Sequence, residues 1–115
     1  MTIDSFLQKL KQTANSITFP ETIAVIEENY HFKQTAFKNG NLQNGAGENS
    51  GSCKLFAFAQ IQNLNEAETL ACFGAYYFED VLENPEGTNH QNIRNFMKTG
   101  WNGILFEGNA LELNS

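Results

Sequence analysis

The sequence predicts an α+β fold that is predominantly helical, with about five helices and a small antiparallel β-sheet that includes a hairpin. Apolar residues recur at helical spacing in five segments, whereas short strand-like runs occur only near residues 31–37 and in the tail. The 115 residues are 41% apolar, which is enough for one hydrophobic core. We therefore expect a single domain over residues 1–115.

Two helices are predicted before residue 31. Residues 3–14 carry apolar side chains at helical spacing with polar residues between them, which is typical of an amphipathic helix. The second helix covers about 20–30. Thr18 and Glu21 have the spacing of a capping box at its start, and Pro20 suits its first turn.

A strand near 31–37 and a long loop to about residue 50 are predicted next. Asn-Gly pairs at 39–40 and 44–45 favour the positive backbone angles of tight turns. A loop of this length is uncommon inside a small domain and is often functional. The 39–51 segment is therefore a candidate to close over a ligand.

Two helices are predicted in the middle of the chain. The run that starts at Cys53 is apolar on nearly all sides, which predicts a buried helix. Asn65 and Glu68 have capping-box spacing at the start of the next helix, which is expected to continue until Pro85. Within it, Ala71 and Gly74 would allow another helix to approach closely.

A fifth helix and a hairpin complete the predicted fold. Residues 89–99 place Ile93, Phe96 and Met97 on one face, and Gly100 stands where a helix stop is expected. The tail has two short apolar runs on either side of residues 107–109, which predicts a hairpin whose strands pair with the strand near 31–37.

The charge distribution limits the classes of partner. The net charge is −6, and residues 61–115 hold only Arg94 and Lys98 against eight acidic residues. Binding to nucleic acid or to anionic lipid needs a basic surface, so we expect neither partner.

No apolar stretch has transmembrane length, and Cys53 and Cys72 lack metal-site spacing. We expect a cytoplasmic protein with reduced thiols.

The segment Gly45–Phe56, with sequence GAGENSGSCKLF, carries the main functional hypotheses. It lacks the spacing of a phosphate-binding P-loop. An anion site at a helix start remains open, and the candidate binding residues are Asn49, Ser50, Ser52, Lys54 and, at a distance in sequence, Trp101. A cysteine nucleophile is the second interpretation, with Cys53 activated by His31 or His90.

A purely structural interpretation of the same segment is favoured. Gly51 would make a turn, Ser50 or Ser52 would cap the helix, and Cys53 would be a small buried side chain. The acidic residues between 79 and 86 are interpreted as a solvated face rather than a metal site, and no cofactor is predicted. Arg94 and Lys98 are expected to form ion pairs with Glu79, Asp80 or Glu83 on the neighbouring helix.

Several stretches resemble the HopJ type III effector family of small bacterial proteins. They are AFKNG at 36–40, NSGSCKLFAFAQ at 49–60, ETLACFGAYYFEDVLENPEG at 68–87 and NHQNIRNFMKTGWNGILFEG at 89–108. The resemblance covers nearly the whole chain. It implies that some relatives are delivered by a type III secretion system, and it implies no catalytic residue, cofactor or activity.

Three functions are compatible with these observations. The leading hypothesis is a non-enzymatic binding or protein-interaction domain, because no catalytic motif is complete. The alternatives are a cysteine-dependent enzyme or thiol switch centred on Cys53, and a cytoplasmic protein that binds a small ligand beneath the 39–51 segment. Secretion by a type III system is an alternative to residence in the cytoplasm.

Overall fold

Five α-helices and five short strands make up the fold in the computed structural model, which describes residues 1–114. The helices are α1 (Ile3–Gln12), α2 (Phe19–Asn29), α3 (Ser50–Ile61), α4 (Glu66–Ala71) and α5 (Gln91–Thr99). The strands are β1 (Tyr30–Phe32), β2 (Phe37–Asn39), β3 (Leu42–Asn44), β4 (Ile104–Phe106) and β5 (Leu111–Leu113). The predicted α+β class is confirmed.

Helix α3 runs through the centre of the core, as its apolar sequence predicts. Leu55, Phe56 and Phe58 are all fully buried. The ring of Phe56 contacts four other aromatic rings at centroid distances of 5.0–6.3 Å. These rings come from separate parts of the chain: Phe37, Phe73, Phe96 and Trp101. One side chain therefore joins α3 to β2, to α5 and to the turns that follow α4 and α5.

The first two helices form as the sequence predicts. Thr18 and Glu21 make a reciprocal capping box at the start of α2. Glu21 also accepts hydrogen bonds from Lys9 Nζ at 2.9 and 3.0 Å, which ties α1 to the start of α2. Helix α1 ends earlier than expected, at Gln12, and the chain continues into a short 3-10 turn at Ala14–Ser16.

The strands form a two-stranded sheet, β1–β5, and a three-stranded sheet in the order β3–β2–β4, and all of their pairings are antiparallel. The predicted single strand at 31–37 is in fact two strands, β1 and β2, because the chain leaves the sheet between residues 32 and 37. A two-residue turn at Gly40-Asn41 joins β2 to β3, so part of the predicted loop is a hairpin.

The predicted tail hairpin is wrong, although its strands do pair with the earlier segment. Strand β4 pairs with β2 and strand β5 pairs with β1. Backbone hydrogen bonds from Lys33 to Ala110 and from Glu107 to Ala36 keep the same register between the two sheets. The tail therefore runs antiparallel to residues 30–39 as one interrupted ribbon, and residues 107–110 span a gap instead of reversing the chain.

Gly74 breaks the long helix that was predicted after residue 65. The capping box of Asn65 and Glu68 is present, but α4 ends at Ala71 and a π-helix follows at Tyr76–Val81. Gly74 has a φ of 62°, and a Cβ atom there would lie 2.9 Å from the backbone nitrogen of Phe19. The close approach was predicted correctly, but it requires a left-handed residue, which ends the helix.

Helix α5 has the predicted stop but a narrower buried face. Gly100 follows it with a φ of 60°. Ile93 and Phe96 are buried, whereas Met97 is 44% exposed, so the prediction of an inward Met97 is wrong. A 3-10 turn at Gly100–Gly103 then places Trp101 against Phe96. Among residues 1–114, no helix is both long enough and apolar enough to cross a bilayer.

Substitution of Gly74 tests the close approach of α2. We expect Gly74→Ala to lower the free energy of unfolding by about 2–4 kcal/mol, because it adds left-handed backbone strain to a clash with backbone atoms. Urea unfolding measures the change. Gly108→Ala is the matched control, since its Cβ would meet only Thr35 at 3.8 Å. Equal stability of the two variants would contradict the close packing.

Candidate functional site

A cleft of about 220 Å³ opens between the first turns of α3 and α5. We call it the helix-start cleft. Apolar side chains form part of its wall, and polar side chains line the ends of the two helices. Its lining residues are Phe19, Asn49, Gly51, Ser52, Phe73, Tyr76, His90, Asn92 and Ile93.

Both helices start without a side-chain cap at this cleft. The residues at the N-cap positions, Asn49 and His90, have left-handed backbone angles, with φ of 50° and 53°. Neither side chain accepts a hydrogen bond from the first turn of its helix. The first N–H groups of a helix have no acceptor within the helix. Within the described residues, those of Ser50–Ser52 in α3 and of Gln91 and Asn92 in α5 form no backbone hydrogen bond, whereas that of Ile93 already donates to the His90 carbonyl.

The two helix starts contribute partial positive charge at the cleft. Each helix dipole places this charge at its N-terminus, on the N–H groups of the first turn. No acidic residue is among those that line the cleft, but two acidic residues lie beside it. Glu48 accepts a hydrogen bond from the backbone N–H of Gly45, and Asp80 binds His90.

His90 joins the cleft to the π-helix. Its Nε2 atom lies 3.0 Å from Oδ2 of Asp80, and its ring lies 5.1 Å from the ring of Tyr76. The Tyr76 ring in turn contacts Phe19 at 5.3 Å. These contacts fix the orientation of the imidazole, so its Nδ1 atom can serve a ligand as donor or acceptor, depending on protonation.

A network of hydrogen-bonded asparagine side chains connects the β2–β3 hairpin to the two helices that form the cleft. Asn92 accepts hydrogen bonds at Oδ1 from Asn39 and Asn44, and its own Nδ2 donates to Asn44 Oδ1 at 3.0 Å. Asn49 Nδ2 donates to the same Asn44 oxygen at 2.7 Å. The β2–β3 hairpin is thereby tied to the starts of both α3 and α5. The site therefore depends on Asn39 and Asn44, which sequence reasoning had assigned only to turns.

Three of the sequence-predicted residues meet in the cleft: Asn49, Ser52 and His90. The expected capping arrangement differs. Asn49, and not Gly51, makes the turn, and Gly51 lies inside α3. The hydroxyl of Ser50 donates to the Gly47 carbonyl instead of capping the helix. Because a left-handed residue directs the chain into α3, the helix starts three residues before Cys53.

Other predicted site residues lie elsewhere. Lys54 pairs with Glu27 at 2.9 Å and covers the ring of Phe32. His31 is exposed in β1, opposite Glu112. Trp101 donates from Nε1 to the Leu64 carbonyl and borders a different, shallow pocket. None of these three lines the helix-start cleft.

Cys53 has the surroundings of a structural thiol. It is 1% exposed, and its Sγ lies 3.4 Å from the carbonyl oxygen of Thr35. Burial raises its pKa, against the smaller opposite effects of that hydrogen bond and of Lys54. Among residues 1–114, neither histidine forms a hydrogen bond with this thiol. The geometry gives no support to Cys53 as a nucleophile.

The second thiol, Cys72, is also a free, buried group. Burial, together with the negative charge of Glu68, raises its pKa from 9.0 to about 12. A metal ion would need several clustered ligands, and the described part of the chain contains no group of three or more His, Cys, Asp or Glu side chains that could hold one.

The raised pKa of Cys72 predicts a loss of stability at high pH. Above pH 9.0 the unfolded chain releases this proton while the folded chain retains it, so stability falls until the pH reaches about 12. We expect a slope of up to about 1.4 kcal/mol per pH unit. Urea unfolding between these pH values measures it. In Cys72→Ala the free energy of unfolding should fall less steeply with pH, whereas in Cys53→Ala it should fall almost as steeply as in the unsubstituted protein. Equal slopes in the unsubstituted protein and both variants would contradict the prediction.

Comparison with known proteins identifies a similar solved structure and a protein family. A solved crystal structure, that of the protein of unknown function VPA0580, is 54% identical to this chain with a TM-score of 0.98. The match covers 99% of this chain and 95% of that one. No curated protein matches the sequence. The family model described as HopJ type III effector protein matches residues 3–111, which is nearly the whole chain. The chain therefore belongs to the HopJ type III effector protein family.

Proposed function

We propose that this protein is a non-enzymatic binding domain that holds an anionic group, a carboxylate or a phosphate, in the helix-start cleft. One observation carries the proposal: two helices begin at the same cleft, and neither has a side-chain cap. Each start offers N–H donors and partial positive charge, which together favour an anion.

The chemistry of the cleft supports an anion with an attached apolar part. Ser52 and His90 add hydrogen-bonding side chains beside the two helix starts, and Phe19 and Tyr76 form an apolar wall. A volume of about 220 Å³ suits a small ligand or one acidic side chain of a partner protein. The asparagine network keeps the two helix starts in place before any ligand binds, which lowers the entropy lost on binding.

Titration with inorganic phosphate tests the proposal. We expect the backbone amide signals of Ser50, Gly51 and Asn92 to shift in two-dimensional NMR spectra, with a Kd on the order of 1 mM. Ser52→Asp would place a carboxylate at the start of α3. It should weaken phosphate binding by about tenfold while raising stability by about 0.5 kcal/mol, because the added charge favours the helix dipole.

Asn109→Asp is the matched control, because it adds the same charge at an exposed position outside the cleft. It should leave phosphate binding unchanged. If phosphate shifts none of the cleft amides, or if both variants weaken binding equally, the proposed anion site is wrong.

A second candidate function is hydrolysis, which one observation favours. The pair of His90 and Asp80 has the geometry of a general base and its orienting carboxylate, and Ser52 lines the same cleft. Turnover of ester or phosphoester probes by the purified protein, lost in His90→Gln, would favour this enzyme over a binding domain. Absence of turnover would leave the binding domain as the better account.

We also propose that the protein works in the bacterial cytoplasm. The two buried free thiols support this, since a reducing compartment preserves them. The family description raises type III secretion as the alternative. Release of the protein into the medium by a strain with a type III system, and not by its secretion mutant, would overturn the cytoplasmic assignment.

A further inference from the structure

A groove of about 460 Å³ runs between the π-helix and α5, away from the helix-start cleft. We call it the Arg94 groove. Apolar side chains, two cations and one carboxylate line it: Val81, Leu82, Pro85, Glu86, Arg94, Met97 and Lys98. Leu82 and Met97 are each 44% exposed. They face solvent although burial would stabilise each of them.

Arg94 carries a buried positive charge at this groove. It is 8% exposed, and its guanidinium donates to the Asn89 and Asn84 carbonyls at 2.6 and 2.9 Å, to the Pro85 carbonyl, and to Oδ1 of Asn89. All of these acceptors are neutral. The predicted ion pair with an acidic residue is therefore wrong, because the 84–89 loop supplies carbonyl oxygens in the position that a carboxylate would occupy.

One N–H donor of the Arg94 guanidinium has no acceptor within the described residues. The guanidinium group has five N–H donors. Four hydrogen bonds are formed to acceptors within residues 1–114, so one Nη2 hydrogen has no acceptor there. A buried charge without an anionic partner is unfavourable, and a carboxylate that enters the groove would remove that cost.

The placement of charge along the chain points to the same partner. Arg94 and Lys98 are the only cations of residues 61–115, and both line this groove, one helical turn apart on α5. Lys98 forms no ion pair within the described residues. Glu86 is the one acidic side chain in the lining, so the groove has a net positive charge on an acidic protein.

We infer that the Arg94 groove binds a segment of a partner protein in which an apolar side chain stands next to an Asp or Glu. The apolar side chain would cover Leu82 and Met97, and the carboxylate would pair with Lys98 and the remaining donor of Arg94. Methionine adapts well to different apolar side chains, which suits such a surface. The hydrogen bonds of Arg94 hold its guanidinium against the 84–89 loop before any partner binds.

Three fluorescent peptides of equal length test the inference. The first alternates leucine with aspartate and glutamate, the second has the amides in place of the acids, and the third has serine in place of leucine. Fluorescence polarisation on the full chain should show at least about tenfold tighter binding of the first peptide than of either control. High salt should weaken its binding.

Variants on the groove provide the second readout. Lys98→Gln should weaken binding of the first peptide by about fivefold, as expected for one partly exposed ion pair. Leu82→Asn should weaken it to a similar extent. The matched controls are Lys11→Gln and Leu105→Asn, which remove an exposed charge and an exposed leucine outside the groove. Both should bind the first peptide normally.

Several results would overturn the inference. One is equal binding of all three peptides, and another is no binding of the first peptide at about 1 mM. A third is that Lys98→Gln and Leu82→Asn bind the first peptide as tightly as the unsubstituted protein does. Self-association that Leu82→Asn abolishes would identify a second copy as the occupant and would also overturn it. Amide shifts at Met97 and Lys98, rather than at Ser52, separate this surface from the helix-start cleft.

Discussion

The burial of α3 is the constraint on which the rest of the structure depends. Phe56 is fully buried and touches aromatic rings from β2, from the turn that follows α4, from α5 and from the turn that follows α5. Because protein interiors are close-packed, these contacts leave the helix little freedom to shift along its axis. The other elements therefore assemble around α3, and the position of its first turn is fixed by its hydrophobic centre.

The polar side of the molecule follows from that placement. Once α3 and α5 pack on the same ring, their starts lie side by side, and the amides of Asn44 and Asn92 hold the β2–β3 hairpin beneath both. A buried amide network of this kind is stabilising only when its members are satisfied. Asn39 Oδ1 is the exception, as a buried oxygen with no partner among the described residues. The apolar core and the amide network thus fix one arrangement of the cleft.

Much of the fold could be predicted from local sequence signals, and most of the site could not. Capping boxes at Thr18 and Asn65 were recognised because both partners lie three residues apart. The break at Gly74 was missed, since its cause is the backbone of Phe19, which is distant in sequence. For the same reason Asn44 is predicted only as a turn residue, because its partner Asn92 lies 48 residues away. The acceptors of Arg94 lie only 5 to 10 residues away, but they belong to an irregular loop whose path no helix or strand pattern encodes.

The interrupted ribbon between residues 30–39 and the tail has a consequence for how the protein is made. Strand β1 finds its partner β5 about eighty residues later, and β2 finds its partner β4 about seventy residues later. Pairings between such distant segments form late, because the loop between them must close first. On the ribosome, these two strands would keep unpaired edges until β4 and β5 had emerged. Synthesis of residues 104–113 is then the step that allows both sheets to form, and a chain interrupted before β4 would expose the unpaired edges to aggregation.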